Sequence, residues 1–340
     1  MNDDSMVVNF DPADGFALLN YSTKIVNLLG SSCHPDIWAE VGNAIEMLPS
    51  SLSAKLDGIT SGFEFTVLRG LPIDDADPGP TPRHWSQAGE AGAVWDVVLL
   101  MVAGLMGQPI AWEGQQDGRF VHNIVPSPGH ENQQTGASST ALLNPHTEDG
   151  FHPGRAHLLL LACMRNPDRV PTTAASVRRV SLSERDVEIL SRPVTPILPD
   201  DFYTEARPFQ GEARPVPVLW SSQEGLMMRF DPSYTPLEQA PAEFRAAYTR
   251  LEEELARVSV DVSLEPGDVL IVQNDLVAHG RVPFRARFDG TDRWLKRALV
   301  RTVSRGSSRP PEEATEHGYG QTVLEAGLLR PRVRSPFLSN

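Results

Sequence analysis

Short apolar runs separated by turn-forming residues recur along the whole chain, and this pattern predicts a core built mainly from β-strands. The 26 glycines and 29 prolines are spread over all 340 residues instead of being collected in one linker, as expected for many short elements joined by turns. The run 157–163 is apolar and predicts a strand that is covered on both faces. The predicted strands are 63–68, 119–125, 156–164, 215–220, 226–231, 259–264, 269–273 and 294–303.

Helical periodicity is confined to a few segments. Apolar residues recur at helical spacing over 37–48 and 244–255, and a further helix is expected over 92–106. A shorter helix is predicted to begin at Ser181, whose spacing to Glu184 fits a capping box. The predicted fold class is therefore mainly β with peripheral helices, arranged as a sheet sandwich or barrel.

The length of the chain permits two domains but does not require them. We expect one domain over residues 1–304, with N-terminal helices that support the strands. The stretch 199–225 has little regular pattern but carries aromatic residues, which fits either a lid over a site or an ordinary surface excursion. Residues 305–340 are polar and rich in proline, and they are predicted to form a C-terminal tail.

The charge balance narrows the range of partners. With 44 acidic and 30 basic residues the net charge is -14, which disfavours nucleic acid and anionic membrane surfaces. The most apolar stretch, 97–112, is interrupted and too short for a bilayer span, and the acidic first residues do not resemble a signal segment. Cys33 and Cys163 could form one disulfide but not a framework, so we expect a cytoplasmic protein.

Two histidines and a carboxylate are the candidate metal ligands. His146 and Glu148 are two residues apart, so on a strand both side chains would point to the same face. His279 lies 133 residues further on, after a predicted buried strand that begins at a Pro-Gly-Asp turn. Such a set leaves coordination positions open and suits non-haem Fe(II), whereas a closed structural zinc site needs a fourth protein ligand. Zinc-dependent hydrolysis remains an alternative.

Two arginines at the start of the last strong strand are candidate anion-binding residues. Arg293 and Arg297 are four residues apart, so on a regular strand they face the same side. Each guanidinium can bind a carboxylate through two parallel hydrogen bonds, and together they could hold two different carboxylates. The alternative is a pair of surface arginines in ordinary salt bridges.

Four separated motifs carry a family resemblance. They are HTEDGFH (146–152), MRNPD (164–168), HGRVPF (279–284) and FDGTDRWLKR (288–297). In this order and spacing they resemble the clavaminate synthase-like group of Fe(II)/2-oxoglutarate oxygenases, over residues 112–301. The resemblance implies a double-stranded β-helix, the jelly-roll core that is also found in cupins.

The resemblance also implies roles for individual residues. His146, Glu148 and His279 would bind Fe(II), and Arg293 would bind the distal carboxylate of 2-oxoglutarate with help from Thr172 or Thr173. The substrate would be bound by Arg297 at its α-carboxylate, by Gln115 near its amine and by Asp231 near its side chain. Relatives often carry an acidic residue two positions after Asp231, where this chain has Ser233.

The implied activity is hydroxylation of an unactivated C–H bond with 2-oxoglutarate and O2 as co-substrates, which yields succinate and CO2. The expected substrate is an amino acid or a derivative from an antibiotic pathway, either free or tethered to a carrier protein. Desaturation or ring closure by the same chemistry remains an alternative. A non-catalytic jelly-roll module that binds a small molecule is the alternative from another class.

Overall fold

Two β-sheets share one hydrophobic core in the computed structural model of the chain, which describes residues 7–60, 63–73, 78–200, 213–302, 309–310 and 321–327. The larger sheet has the order β1-β2-β11-β6-β13-β3-β14, with β4 also paired to β13, and the smaller one is β10-β7-β12-β5. Strands β8 and β9 form a separate hairpin. The strands are β1 (Val7–Asn9), β2 (Phe65–Arg69), β3 (Gln108–Trp112), β4 (Val121–Ile124), β5 (Leu143–His146), β6 (Leu158–Arg165), β7 (Thr172–Ser176), β8 (Leu219–Ser222), β9 (Gly225–Met228), β10 (Val260–Val262), β11 (Val269–Gln273), β12 (Val277–Arg281), β13 (Trp294–Arg301) and β14 (Val323–Glu325).

A layer of helices covers the outer face of the larger sheet. The described α-helices are α1 (Pro12–Leu29), α2 (Ile37–Met47), α3 (Ser50–Thr60), α4 (Ala93–Met106), α5 (Glu184–Leu190) and α6 (Ala242–Val258). Helix α4 packs against α1, α2, α3 and β13, and it is buried along most of its length. No helix among these combines the length and the apolar character that crossing a membrane requires.

Strand β6 separates the two halves of the core because its side chains alternate between them. Leu159 and Leu161 belong to the core between the sheets, whereas Leu158 and Leu160 belong to the core beneath the helices. Every residue of β6 is buried, as expected for a strand covered on both faces. The prediction for the run 157–163 is therefore confirmed.

Most of the predicted elements are present, but the helices are underestimated. The structure confirms helices at 37–47, 93–106 and 242–258 and strands at 269–273 and 294–301. It adds α1 and α3, and with α4 they form a continuous layer instead of isolated peripheral supports. The predicted cap at Ser181 is wrong, because the helix begins at Glu184 and Ser183 accepts the backbone hydrogen bond from Asp186.

Two predicted segments fall partly outside the described residues. Of the stretch 199–225, residues 201–212 lie outside them, and residues 219–225 contribute to the β8–β9 hairpin. Of the predicted tail, 305–308, 311–320 and 328–340 lie outside them. Two described parts of the tail contact the domain: β14 pairs with β3, and the side chain of Arg309 contacts the turn that follows β11.

A buried ion pair joins the helix layer to the larger sheet, and we expect it to be sensitive to the loss of one partner. Lys296 Nζ lies 2.6 Å from Asp96 Oδ1, and both side chains are almost inaccessible to solvent. Asp96→Ala leaves the ammonium group without its counter-charge, so the free energy of unfolding should fall by about 3–5 kcal/mol in urea titrations.

The exposed pair Arg169–Glu265 provides the control for this experiment. Glu265→Ala should cost no more than about 1 kcal/mol, since exposed ion pairs contribute little. Equal losses in the two variants would contradict the role assigned to the buried pair.

Candidate active site

Three potential metal ligands converge at one end of the space between the two sheets. His146 at the end of β5 is directly opposite His279 on β12, and the two imidazole rings are 4.5 Å apart between centroids. Glu148 follows β5, and its Oε2 lies 3.3 Å from Nε2 of His279. The nearest ligand atoms of the three side chains all lie within 4.8 Å of one another. This arrangement can hold one divalent metal ion with two imidazoles and one carboxylate.

The close approach of β12 to β5 depends on a glycine next to the second histidine. A Cβ atom at Gly280 would lie 2.5 Å from the carbonyl oxygen of Leu143 and 3.0 Å from Oγ1 of Thr173. No side chain fits in that space, so only glycine lets the two strands pair closely enough to bring His279 opposite His146. This explains the glycine of the HGR motif in physical terms.

The position of Glu148 is fixed by its backbone. The Asn274 side chain accepts a hydrogen bond from the Glu148 amide at 2.6 Å and donates one to the Glu148 carbonyl at 2.9 Å. The next residue, Asp149, has a positive φ of 52° and accepts a hydrogen bond from the Trp112 indole at 2.7 Å. These contacts hold the sharp turn that aims the Glu148 carboxylate at the histidines.

The charge states also suit metal binding. Burial opposes ionisation of Glu148, but Arg297 and His279 hold the pKa of its carboxyl well below its usual range. Burial, together with the neighbouring His279, lowers the pKa of His146. Nδ1 of His146 lies 2.8 Å from the Asn144 carbonyl, which leaves Nε2 available as the ligand atom. A carboxylate and neutral imidazoles are the forms that bind a metal ion.

Arg293 lies in the same cavity and is suited to hold an anion. One of its Nη atoms donates a hydrogen bond of 2.9 Å to Thr172 Oγ1, and its Nε makes no hydrogen bond within the described part of the chain. Desolvation lowers the pKa of this guanidinium to about 10, and no described carboxylate forms an ion pair with it. A buried cation of this kind favours an anionic ligand.

Of the two candidate threonines, Thr172 lines the cavity with Arg293, whereas the Thr173 hydroxyl lies beside Gly280. Adjacent residues of a strand point to opposite faces, so only one of the pair can share the side of Arg293. The structure therefore places Thr172, and not Thr173, beside Arg293, a distinction that the sequence alone could not make.

Arg297 lies between the metal ligands and a buried histidine. It donates one hydrogen bond to Glu148 Oε1 and another, at 2.8 Å, to Nδ1 of His122. Burial and the charge of Arg297 keep the pKa of His122 well below its ordinary value, so this histidine is a neutral acceptor. The spacing of the two arginines predicted that they share a face, and both line the cavity.

The two remaining candidates occupy different positions. Gln115 lines the cavity, is buried, and has a side-chain oxygen without a partner among the described residues. Asp231 is not among the cavity-lining residues, and its Oδ1 accepts hydrogen bonds from the amides of Ser233 and Tyr234. Burial raises the pKa of Asp231 to about 6.

The sequence reasoning missed the residues that orient these groups. Asn274 and Trp112 carry no motif of their own, although an asparagine directly after a buried strand is a signal for a polar turn. His122 on strand β4 is a further such residue, because it accepts a hydrogen bond from Arg297. A buried guanidinium needs hydrogen-bond acceptors, so a histidine on the strand that pairs with β13 is a candidate partner for Arg297.

The cavity therefore combines a candidate metal-binding triad with two guanidinium groups. The described ligand set is open, with three protein donors on one side of a metal ion, and its donors fit Fe(II). Arg293 and Thr172 offer a cradle for one carboxylate, and Arg297 offers a second site beside Glu148. Such a site can bind a metal ion, a dicarboxylate and a second carboxylate-bearing molecule together.

Comparisons with known proteins point to the same chemistry. The family model "Taurine catabolism dioxygenase TauD, TfdA family" matches residues 200–299. Enduracididine β-hydroxylase from Streptomyces hygroscopicus is 38% identical over 258 residues, which cover 69% of this chain and 75% of that protein. L-ornithine/L-arginine 3-hydroxylase from Catenulispora acidiphila is 33% identical over 290 residues, covering 78% of this chain and 84% of that protein.

A solved structure is similar over most of the chain. The non-heme iron oxygenase OrfP, in complex with Fe, succinate and (3S)-hydroxy-L-Arg, superposes with a TM-score of 0.79 and 33% identity. The match covers 88% of this chain and 95% of that chain. OrfP has also been solved with Fe and α-ketoglutaric acid.

Metal binding can be tested directly. We expect the protein to bind one Fe(II) per chain under anaerobic conditions, and we expect His279→Ala to lose stoichiometric binding because two donors remain. Equilibrium dialysis with metal analysis measures both. His34→Ala, which removes a surface histidine far from the triad in sequence, should bind like the unmodified protein. Retention of one tightly bound ion by His279→Ala would contradict the assignment.

Proposed function

Since the chain belongs to the TauD/TfdA family of Fe(II)- and 2-oxoglutarate-dependent oxygenases, we propose that it hydroxylates a free L-amino acid with a basic side chain. The resemblance to oxygenases found in the four sequence motifs is confirmed by these relatives and by the OrfP structure. The enzyme uses Fe(II), 2-oxoglutarate and O2 to oxidise an amino acid or an amino-acid-derived metabolite.

In this proposal His146, Glu148 and His279 hold Fe(II), and Arg293 with Thr172 binds the distal carboxylate of 2-oxoglutarate. The buried guanidinium of Arg293, which lacks a described carboxylate partner, supports this role. When bound, Fe(II) and 2-oxoglutarate activate O2 and supply the oxidising power, with succinate and CO2 as co-products. The protein contributes by positioning, because the C–H bond that is held nearest the metal reacts.

The position of Arg297 supports the proposal that the substrate is a free amino acid and not one tethered to a carrier protein. Its guanidinium lines the cavity beside Glu148, where it can bind the α-carboxylate of the substrate. A carrier-tethered amino acid is a thioester and has no such carboxylate. Gln115 lines this cavity, and its buried side-chain oxygen has no hydrogen-bond partner among the described residues, so it is suited to accept a hydrogen bond from the α-amino group.

The names of the two relatives, an enduracididine hydroxylase and an ornithine/arginine hydroxylase, support the proposal that the substrate has a basic side chain. Asp231 is not among the residues that line the cavity, but it interacts electrostatically with His146, which does line it, so its carboxylate would bind the far end of a long basic side chain. Ser233 accepts a hydrogen bond from Asn144 where relatives often place a second acid. One carboxylate instead of two predicts weaker discrimination among basic side chains.

Two coarser features fit this assignment. The two facing sheets fit a double-stranded β-helix, with the two histidines on the smaller sheet and Arg297 on the larger. Cys33 and Cys163 are both free, which agrees with a protein that functions in the reducing cytoplasm.

The proposed role of Thr172 can be tested against its neighbour. Thr172→Val removes the hydroxyl that bonds Arg293, so the KM for 2-oxoglutarate should rise roughly tenfold or more, as expected for the loss of about 1.5–3 kcal/mol. Thr173→Val is the matched control and should leave this KM unchanged. A larger effect at Thr173 would reverse the assignment.

The substrate proposal predicts succinate formation and a mass gain of one oxygen atom with free L-arginine or L-ornithine. L-arginine amide, which lacks the carboxylate, should be turned over far more slowly, because Arg297 then has no partner in the substrate. Loss of two hydrogens instead of a gain of oxygen would indicate desaturation or ring closure. Equal turnover of the amide, or activity only with carrier-bound amino acids, would contradict the proposal.

A further inference from the structure

The turn between β11 and β12 ties the two separate ligand-bearing segments together. Its first residue, Asn274, is fully buried and brackets the backbone of Glu148, and it also donates a hydrogen bond of 3.0 Å to the Ala156 carbonyl. Five residues later the same segment carries His279. A shift of this turn would therefore move Glu148 and His279 relative to each other.

The next residue of the turn, Asp275, is held by two arginines. Its carboxylate receives Arg155 Nη2 at 3.0 Å and Arg309 Nε at 3.0 Å, with a further bond of 3.2 Å from Arg309 Nη2. Burial alone would raise the pKa of Asp275, but Arg309 and Arg155 hold it at about 2, so the carboxylate is ionised. Asp275 is thus a buried charge that requires these partners.

Arg309 belongs to the predicted C-terminal tail, yet its side chain is only 6% exposed. Besides Asp275, its guanidinium donates to the carbonyls of Pro153, Arg155 and Ala156 at 2.9–3.2 Å. These carbonyls lie in the segment that follows Glu148. One side chain therefore joins the segment behind Glu148, the turn before His279 and the C-terminal region.

We propose that Arg309 is a positioning residue for the iron site, through which the C-terminal region fixes the relative placement of Glu148 and His279. The described contacts of Arg309 are with Asp275 and with the backbone of residues 153–156, so it acts on the ligands through these groups and through Asn274. The inference rests on the iron site and does not depend on the identity of the substrate. Supporting groups around a metal site typically change metal affinity by about 10–100-fold when they are lost.

The test is anaerobic Fe(II) affinity, followed by the visible absorption of the Fe(II)–2-oxoglutarate complex, together with unfolding of the metal-free protein. For Arg309→Ala we expect at least about a tenfold loss of Fe(II) affinity. Guanidinium chloride, at concentrations far below those that denature proteins, should restore part of this affinity by refilling the site, whereas sodium chloride should not. These readouts do not require turnover and remain informative if the substrate proposal fails.

Arg69→Ala is the matched control. Arg69 forms a similar two-bond pair with the buried carboxylate of Asp268, which lies just before β11, at the end of that strand opposite Asp275. Its loss should lower the free energy of unfolding but leave Fe(II) affinity unchanged. An equal loss of Fe(II) affinity in the two variants would show that general destabilisation is responsible and would overturn the proposal.

A second, more conservative variant allows the proposal to be tested even if Arg309→Ala does not fold. Arg309→Lys keeps the positive charge but cannot bridge Asp275 and the three carbonyls at once, so it should show a smaller loss of Fe(II) affinity than Arg309→Ala. Unchanged affinity in a folded Arg309→Lys or Arg309→Ala variant would overturn the proposal. Failure of guanidinium to restore affinity to a folded Arg309→Ala protein would do the same.

Discussion

The antiparallel pairing of β12 with β5 is the constraint on which the site depends. It places His279 directly opposite His146, although the two residues are far apart in sequence. Each of these strands is short, so the register is fixed by neighbouring contacts: Gly280 permits the close approach, and Asn274 ties the turn before β12 to the backbone of Glu148. Backbone pairing therefore brings the candidate metal ligands together.

Two arginine side chains that line the cavity carry a desolvation cost, because the cavity buries their positive charges. Desolvation lowers the pKa of both Arg281 and Arg293 to about 10, and Arg281 is tied to the carbonyls of Ser139 and Ala141. Among the described residues, the hydrogen-bond partner of Arg293 is instead the hydroxyl of Thr172. An arriving carboxylate therefore replaces lost hydration, and part of its binding free energy relieves the desolvation of Arg293.

The sequence could predict the local elements and the chemistry-bearing residues, but not the contacts that orient them. Strand β6 and helix α4 were predictable because their apolar runs are long, whereas α1 carries glycine and several polar residues and was missed. The triad was predictable from residue type and from motifs. The choice between Thr172 and Thr173 depends on which face of β7 turns to Arg293, and the docking of Arg309 depends on a carboxylate 34 residues earlier in the chain. Such pairings are set by tertiary packing, which no local pattern encodes.

Contacts on one face of strand β13 determine which of its side chains point into the cavity on the other face. Arg297 points to the cavity, and its neighbour Lys296 points to the helix layer, where it bonds Asp96 and Asn123. A slip of one residue would bring Lys296 to the metal ligands and bury Arg297 against α4, with charges and shapes that fit neither place. The Trp294 indole donates a hydrogen bond to the same Asn123 side chain and so further stabilises this register. The register of β13, which carries Arg297 and directly follows Arg293, is thus fixed by a buried ion pair on its far side, which gives a reason for the buried lysine.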